Sequence, residues 1–385
     1  MTSQFKILGF LAVTVAFGIW HSATGQGPLT PPGAPAPNFK TLEQVEPRTP
    51  VSALPFTISQ PGSYYLTTNL TGDVGVTNGI TIQADGVALD LMGFELRGGT
   101  GIGVYVPSSR TNITIRNGSV RGWTFSGILA VNASNSRLED LRAALNGGSG
   151  MQIGRGSIVR GCQSSHNGAK GIDAGRDSIL SGSTAESNGA VGIGADESAT
   201  VIGCVAISNG LHGIDVAAGS TVTGCTASGN ADIGISAGRG VVSGCSAFAN
   251  GGVGIWVQDH AQVSGCTANR NVGNAIEVDD DCLVLRNNCD SNGDVPPFMS
   301  AGIHATGSRN RIDSNKVTDN DIGIRAGGTG NLIIRNTAGS NATNYVTTAN
   351  NKVGVIVAAP DSAAISGSTG GAGVGTTDPW ANLSY

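Results

Sequence analysis

Four residues whose side chains could do chemistry stand at matching points of a repeat: Trp256, Glu277, His304 and Arg325. Each is the middle of an apolar triplet: Ile255-Trp256-Val257, Ile276-Glu277-Val278, Ile303-His304-Ala305 and Ile324-Arg325-Ala326. Strand alternation therefore sends all four to the same solvent-facing side. A tryptophan face stacks on a sugar ring, and a carboxylate with an imidazole can act as acid and base. A guanidinium can neutralise a uronate carboxylate, which removal of the neighbouring proton requires. The turns that follow carry Asp259 and His260, then Asp279, Asp280 and Asp281. Carboxylate oxygens suit Ca²⁺, so these aspartates are the candidate metal ligands. The plainer alternative is that acidic turns keep a rod soluble and block edge-to-edge association.

The element that must position these residues is a repeat of about 21 residues. Copies begin at Gly150-Met151, Gly171-Ile172, Gly192-Ile193, Gly213-Ile214, Gly234-Ile235 and Gly254-Ile255. An asparagine column runs in phase from Asn146 through Asn167, Asn188, Asn209, Asn230, Asn250 and Asn271 to Asn292, and a third column reads Cys162, Ser183, Cys204, Cys225, Cys245 and Cys266. Periods of this size mean a solenoid, because one unit cannot bury its own apolar face. Within a copy, apolar residues alternate over three or four positions and nothing recurs at helical spacing, so each coil is three short strands joined by turns. The spacing predicts an all-β, single-stranded parallel β-helix of about twelve rungs with N- and C-terminal caps. The asparagines should form a turn ladder and the cysteines should point inward as small apolar residues. The outward column of the first strand reads Gln152, Asp173, Gly194, Asp215, Ser236, Trp256, Glu277, His304 and Arg325.

Residues 1–25 read as a secretory leader, with Lys6, an apolar stretch from Ile7 to Trp20 and a small-residue site at Ala23-Thr24-Gly25. Residues 26–50 form a Pro-rich linker, 51–345 the β-helix with its N-terminal cap, and 346–385 a C-terminal cap and tail. The asparagine step from Asn292 to Asn320 is enlarged, which predicts a loop at 293–300 leaving the rod beside His304. A leader implies a secreted, periplasmic or cell-surface protein with no membrane contact after cleavage. Charged residues are 13% and the net charge is −5, which argues against a nucleic-acid surface. Aromatics are 5%, which predicts a thin aliphatic interior. Five of the seven cysteines share one column whose side chains point the same way, so they are expected as buried free thiols rather than disulfides. Nothing in the composition speaks to oligomeric state.

The Gly-Ile starts, Gly-Cys turns and asparagine column together resemble the right-handed parallel β-helix repeat proteins, also called pectin-lyase-like. That resemblance implies the right-handed coil and a superfamily of lyases, hydrolases, epimerases, tailspikes and adhesins. Pectin-hydrolysing members carry an Asp-Asp pair followed by Gly-His-Gly and Arg-Ile-Lys. Here Asp280-Asp281 is followed by Gly302-Ile303-His304 and Arg311-Ile312-Asp313, the upstream Asn-Thr-Asp is missing, and the spacing departs from a paired-carboxylate hydrolase. Gly234-Ile235-Ser236-Ala237-Gly238 fits a nucleophile elbow only formally, since no helix follows it. The expected function is a non-catalytic polysaccharide-binding or structural surface protein. The alternative is a polysaccharide lyase or other carbohydrate-active enzyme acting on uronate-containing glycans.

Overall fold

A computed structural model describes residues 47–73, 75, 77–293, 299–358 and 377–385. The leader, nearly all of the linker, positions 294–298 of the expected loop and most of the tail lie outside the described residues. From Arg48 onward the chain is one compact unit, a parallel β-helix without helical segments among the described residues. One sheet stacks the first strand of every coil, fourteen in all, from Phe56–Ile58 to Thr343–Thr347. The second and third strands of each coil share the other sheet and pair coil to coil, as Ile158–Arg160 does with Ile179–Ser181 and Gln163–Ser165 with Thr184–Glu186. Fourteen coils exceed the expected twelve because Phe56–Ile58, read as part of a cap, already pairs in register with Asn78–Ile82. Thr343–Thr347 likewise continues the sheet below Ile322–Ala326.

The repeated columns have separate mechanical roles. Asn146 to Asn341 are joined amide to amide, each Nδ2 donating to the next Oδ1 at 2.9–3.1 Å. The same oxygen accepts the backbone N–H of the asparagine above, so the turn leaves few orphan donors. The Gly-Ile starts follow from this ladder. A Cβ on Gly192, Gly213 or Gly234 would stand 2.5–2.6 Å from a ladder amide nitrogen and 2.6–2.7 Å from the next glycine's carbonyl. All seven cysteines are buried and unbridged. After Cys266 the column shared by five of them passes to Asn287, Asn315, Asn336 and finally Asn382, a second amide ladder. Asn382 lies in Asn382–Ser384, which pairs with both Thr337–Gly339 and Ile356–Ala358.

One expectation is corrected. The interior is mainly aliphatic, built from Ile, Val, Leu and Ala, but it also holds a buried tryptophan, Trp123. Its backbone N–H donates to Asn146 Oδ1, so it occupies the ladder position above the first asparagine. Room exists because Gly79, Gly99 and Gly103 face it; a Cβ on Gly99 would come within 2.1 Å of the ring. The indole Nε1 donates to Leu96 O at 3.3 Å, which satisfies its polar edge.

Candidate functional site

Backbone register places the outward column as one file. Gln152, Asp173, Gly194, Asp215, Ser236, Trp256, Glu277, His304 and Arg325 are successive Cα partners on the first sheet. All are partly exposed except Gly194 and Ser236, which are buried between neighbours. The inward residues on either side are Met151 and the Ile, Val and Ala of the core, so the file stands on rigid, packed strands.

Within the file, Glu277 and His304 form a pair. His304 Nδ1 lies 3.8 Å from Glu277 Oε2. Asn274 from the preceding turn donates to the same carboxylate oxygen and lies 3.3 Å from His304 Nδ1. Asn274 is itself fixed, because its Oδ1 accepts the Ala301 N–H at 2.6 Å. His304, and after it Asn274, hold the Glu277 carboxyl below the ordinary carboxylate range, outweighing burial. Arg325 follows on the next coil and makes no side-chain hydrogen bond or ion pair among the described residues. Trp256 is one coil the other way, across from Glu277.

The four candidate metal ligands are near one another but do not converge. Asp279 accepts from Thr306 Oγ1, and Asp280 from the Ser308 N–H. Asp281 takes a two-pronged pair with Arg309 at 2.6 and 2.7 Å, with His260 Nε2 3.6 Å away. Asp259 accepts the Asp280 N–H at 3.3 Å and pairs with Arg239. Each carboxylate is thus engaged in fastening its turn to an adjacent coil. Among the described residues no group of three or more His, Cys, Asp or Glu is arranged to hold a metal ion. Asp281 also has the left-handed backbone shared by Asp177, Ser198 and His260 at the same turn position.

The structure adds a groove that sequence reasoning missed. It lies on the N-terminal side of Trp256, with a volume of about 330 Å³, and runs past Ser236, Asp215 and Gly194 to Asp173 and Lys170. From the coil of Asp173 to that of Trp256 is four rung steps, roughly 19 Å. Gly194 makes the notch: a Cβ there would lie 2.6 Å from Asp173 Oδ1. Asp173 is held by Lys170 at 2.9 Å and Gln152 at 3.3 Å, while Ser236 Oγ donates to Asp215 Oδ1 at 2.7 Å. The sequence did carry a cue, a bare glycine inside a file of large or polar residues.

The chain belongs to the family described as right handed beta helix region, which matches residues 67–200 and 174–308. No curated protein matches the sequence. Among solved structures it is similar to the A-module of Azotobacter vinelandii mannuronan C-5 epimerase AlgE4. The two share 17% identity with a TM-score of 0.52, over 76% of this chain and 91% of that one. The A-module of AlgE6 from the same organism aligns at 16% identity and TM-score 0.43, over 76% of this chain and 89% of that one. The AlgE4 likeness, at 17% identity, shows the fold alone.

Proposed function

We propose that the protein binds an extended polysaccharide along the outward file of the first sheet, outside the cytoplasm. The observation that carries this is the groove that ends at Trp256, in line with the strand-by-strand file. A sugar chain laid along the rod meets a new side chain at every rung, about 4.8 Å apart, a step comparable to one pyranose residue. Trp256 supplies a stacking face, and Asp173, Asp215 and Ser236 supply hydroxyl-binding groups. Three carboxylates, Asp173, Asp196 and Asp215, face one lysine in this groove, which favours a neutral glycan there, or an acidic one bridged by Ca²⁺.

A second reading rests on the Glu277–His304 pair with Arg325 beyond it. That trio has the components for proton transfer next to a neutralised uronate, so an enzyme acting on uronate-containing glycans is the alternative. One experiment addresses both. Purified protein is screened against neutral and uronate polysaccharides, with Ca²⁺ and with EDTA, following bound glycan, unsaturated products and reducing ends. Trp256→Ala is expected to weaken glycan binding about tenfold, with the thermal midpoint nearly unchanged because the ring is outside the core. Unchanged affinity in this variant would exclude the face. Product formation abolished by both Glu277→Gln and His304→Gln would establish the enzymatic reading over simple binding.

A further inference from the structure

The net charge of −5 conceals a segregation along the rod. Residues 91–165 contain eight arginines, no lysine and three carboxylates. Several of these arginines project from the outer face of the second and third strands. Arg97 and Arg121 are direct register partners on adjacent coils. Like charges directly opposite one another destabilise a sheet; Glu95, 2.5 Å from Arg121, compensates one member of this pair and leaves Arg97 without a carboxylate of its own. The next six coils carry no arginine or lysine at the same strand positions; their outward residues are mostly Ser, Thr, Val, Ile and Leu, with Gln262, Asn269, Asn288, Phe248 and two carboxylates, Glu186 and Asp290.

Local carboxylates neutralise only part of the cluster. Arg116 pairs with Asp90, Arg121 with Glu95 and Arg160 with Glu139. Arg97, Arg137 and Arg142 make no ion pair or side-chain hydrogen bond among the described residues, and all three are exposed. Arg142 also borders two contiguous grooves. One, of about 290 Å³, is lined by Asn117, Ser119, Asp140 and Gln163 over the glycines 93, 118 and 161. The other, of about 400 Å³, reaches Asn69, Glu95 and Arg121. Gly93, Ser119 and Arg142 belong to both.

From three unpaired arginines, with Arg142 bordering two grooves whose linings are hydroxyl and amide groups and one carboxylate each, we propose a second glycan site on this face, selective for polysaccharides bearing carboxylate or sulfate groups. Guanidinium forks suit planar or tetrahedral oxyanions, and Ser119, Asn117 and Gln163 suit the hydroxyls between them. A single-stranded nucleic acid is the poorer match, because neither groove has an aromatic side chain on which a base could stack. The site is separate from the Trp256 face, and the protein would hold an acidic chain on one side and another glycan on the other.

The test measures binding of dextran sulfate, polygalacturonate, neutral dextran and a single-stranded oligonucleotide to the full chain over a range of salt. The wild type should bind both acidic polysaccharides, and any dextran it binds should be lost in Trp256→Ala, since the arginine face takes no neutral chain. The Arg97→Gln/Arg142→Gln double variant should bind them at least tenfold more weakly, with a log–log salt dependence flatter by about two. Arg116→Gln removes one positive charge, half of what the double variant removes, from a paired position outside both grooves and should change affinity less than about twofold. Trp256→Ala should leave polyanion binding intact, which separates this site from the first face. The proposal is overturned if the double variant binds like the wild type, if Arg116→Gln weakens binding equally, or if the oligonucleotide binds more tightly than either acidic polysaccharide.

Discussion

Replacing Asn230 by alanine should be among the most damaging single changes to this rod. The side chain is 1% exposed and makes four hydrogen bonds. Its Nδ2 donates to Asn250 Oδ1 at 2.9 Å and to Ala206 O at 3.2 Å. Its Oδ1 accepts from Asn209 N and Asn209 Nδ2, both at 3.0 Å. Alanine would orphan the Asn209 N–H in the interior, a cost of about 1–3 kcal/mol, and would delete the remaining bonds at about 1 kcal/mol each. Some loss is recovered, because Asn209 Nδ2 keeps Ala185 O and Asn250 Oδ1 keeps the residue-230 N–H. A net cost of about 4 kcal/mol is expected, measured by urea denaturation followed by circular dichroism. Asn341→Ala is the internal comparison. Asn341 is half-buried near the C-terminal end of the ladder, so it should cost about 1–2 kcal/mol. A cost below about 1 kcal/mol for Asn230→Ala, or equal costs at both positions, would refute the idea that buried amide pairing holds the turns together.

Two further outcomes follow from buried groups. Burial alone would raise the pKa of Asp313, whose side chain is 2% exposed. Arg335, Arg311 and Ser314 outweigh that effect and hold it at about 2, against an ordinary 3.8. The folded value is the lower one, so the stabilisation, about 2 kcal/mol, is present above pH 4 and lost as pH falls towards 2. Asp313→Asn should flatten the acid limb of the stability profile in that window, and an unaltered limb would count against the assignment. All seven thiols should resist a small thiol reagent in the native protein and all seven should react in denaturant. Burial pushes Cys162 up to about 12 and Cys282 up to about 11, leaving almost no thiolate at neutral pH.

The parts of the fold that repeat were readable, because one coil's sequence constrains the next. Asn167, Asn188 and Asn209 share a spacing, so their ladder could be inferred before any geometry was known. The same held for Trp256, Glu277, His304 and Arg325, whose alignment needs only strand alternation and the correct period. Trp123 escaped because it occurs once, and its space is made by Gly79, Gly99 and Gly103 on neighbouring coils. The Asn382 step was hidden for a related reason: it lies 46 residues beyond Asn336, outside any fixed period. The groove beside Gly194 is a shape, the absence of a side chain between Asp173 and Asp215, and a pattern search for reactive groups passes over it. The arginine face was masked by averaging, since a whole-chain charge of −5 cannot show where the positive charge lies.

The ladder also bears on how this rod can be lengthened and decorated. Every rung of it closes a chain loop, and most of those loops are 21 residues long regardless of how many coils exist. The entropy of closing a loop grows only with the logarithm of its length. Stretching one step to 28 residues, as between Asn292 and Asn320, adds about 0.3 kcal/mol on that scaling. Even the 46-residue step to Asn382 adds only about 0.7 kcal/mol. One amide-to-amide bond at the foot of the inserted segment is enough to offset either. New segments can therefore sprout from a turn almost without thermodynamic resistance, provided the asparagine at its base is retained. The strands are held to a strict metre while the turns remain open to insertion, so variation in what such a rod recognises can accumulate at its corners without disturbing the stack beneath.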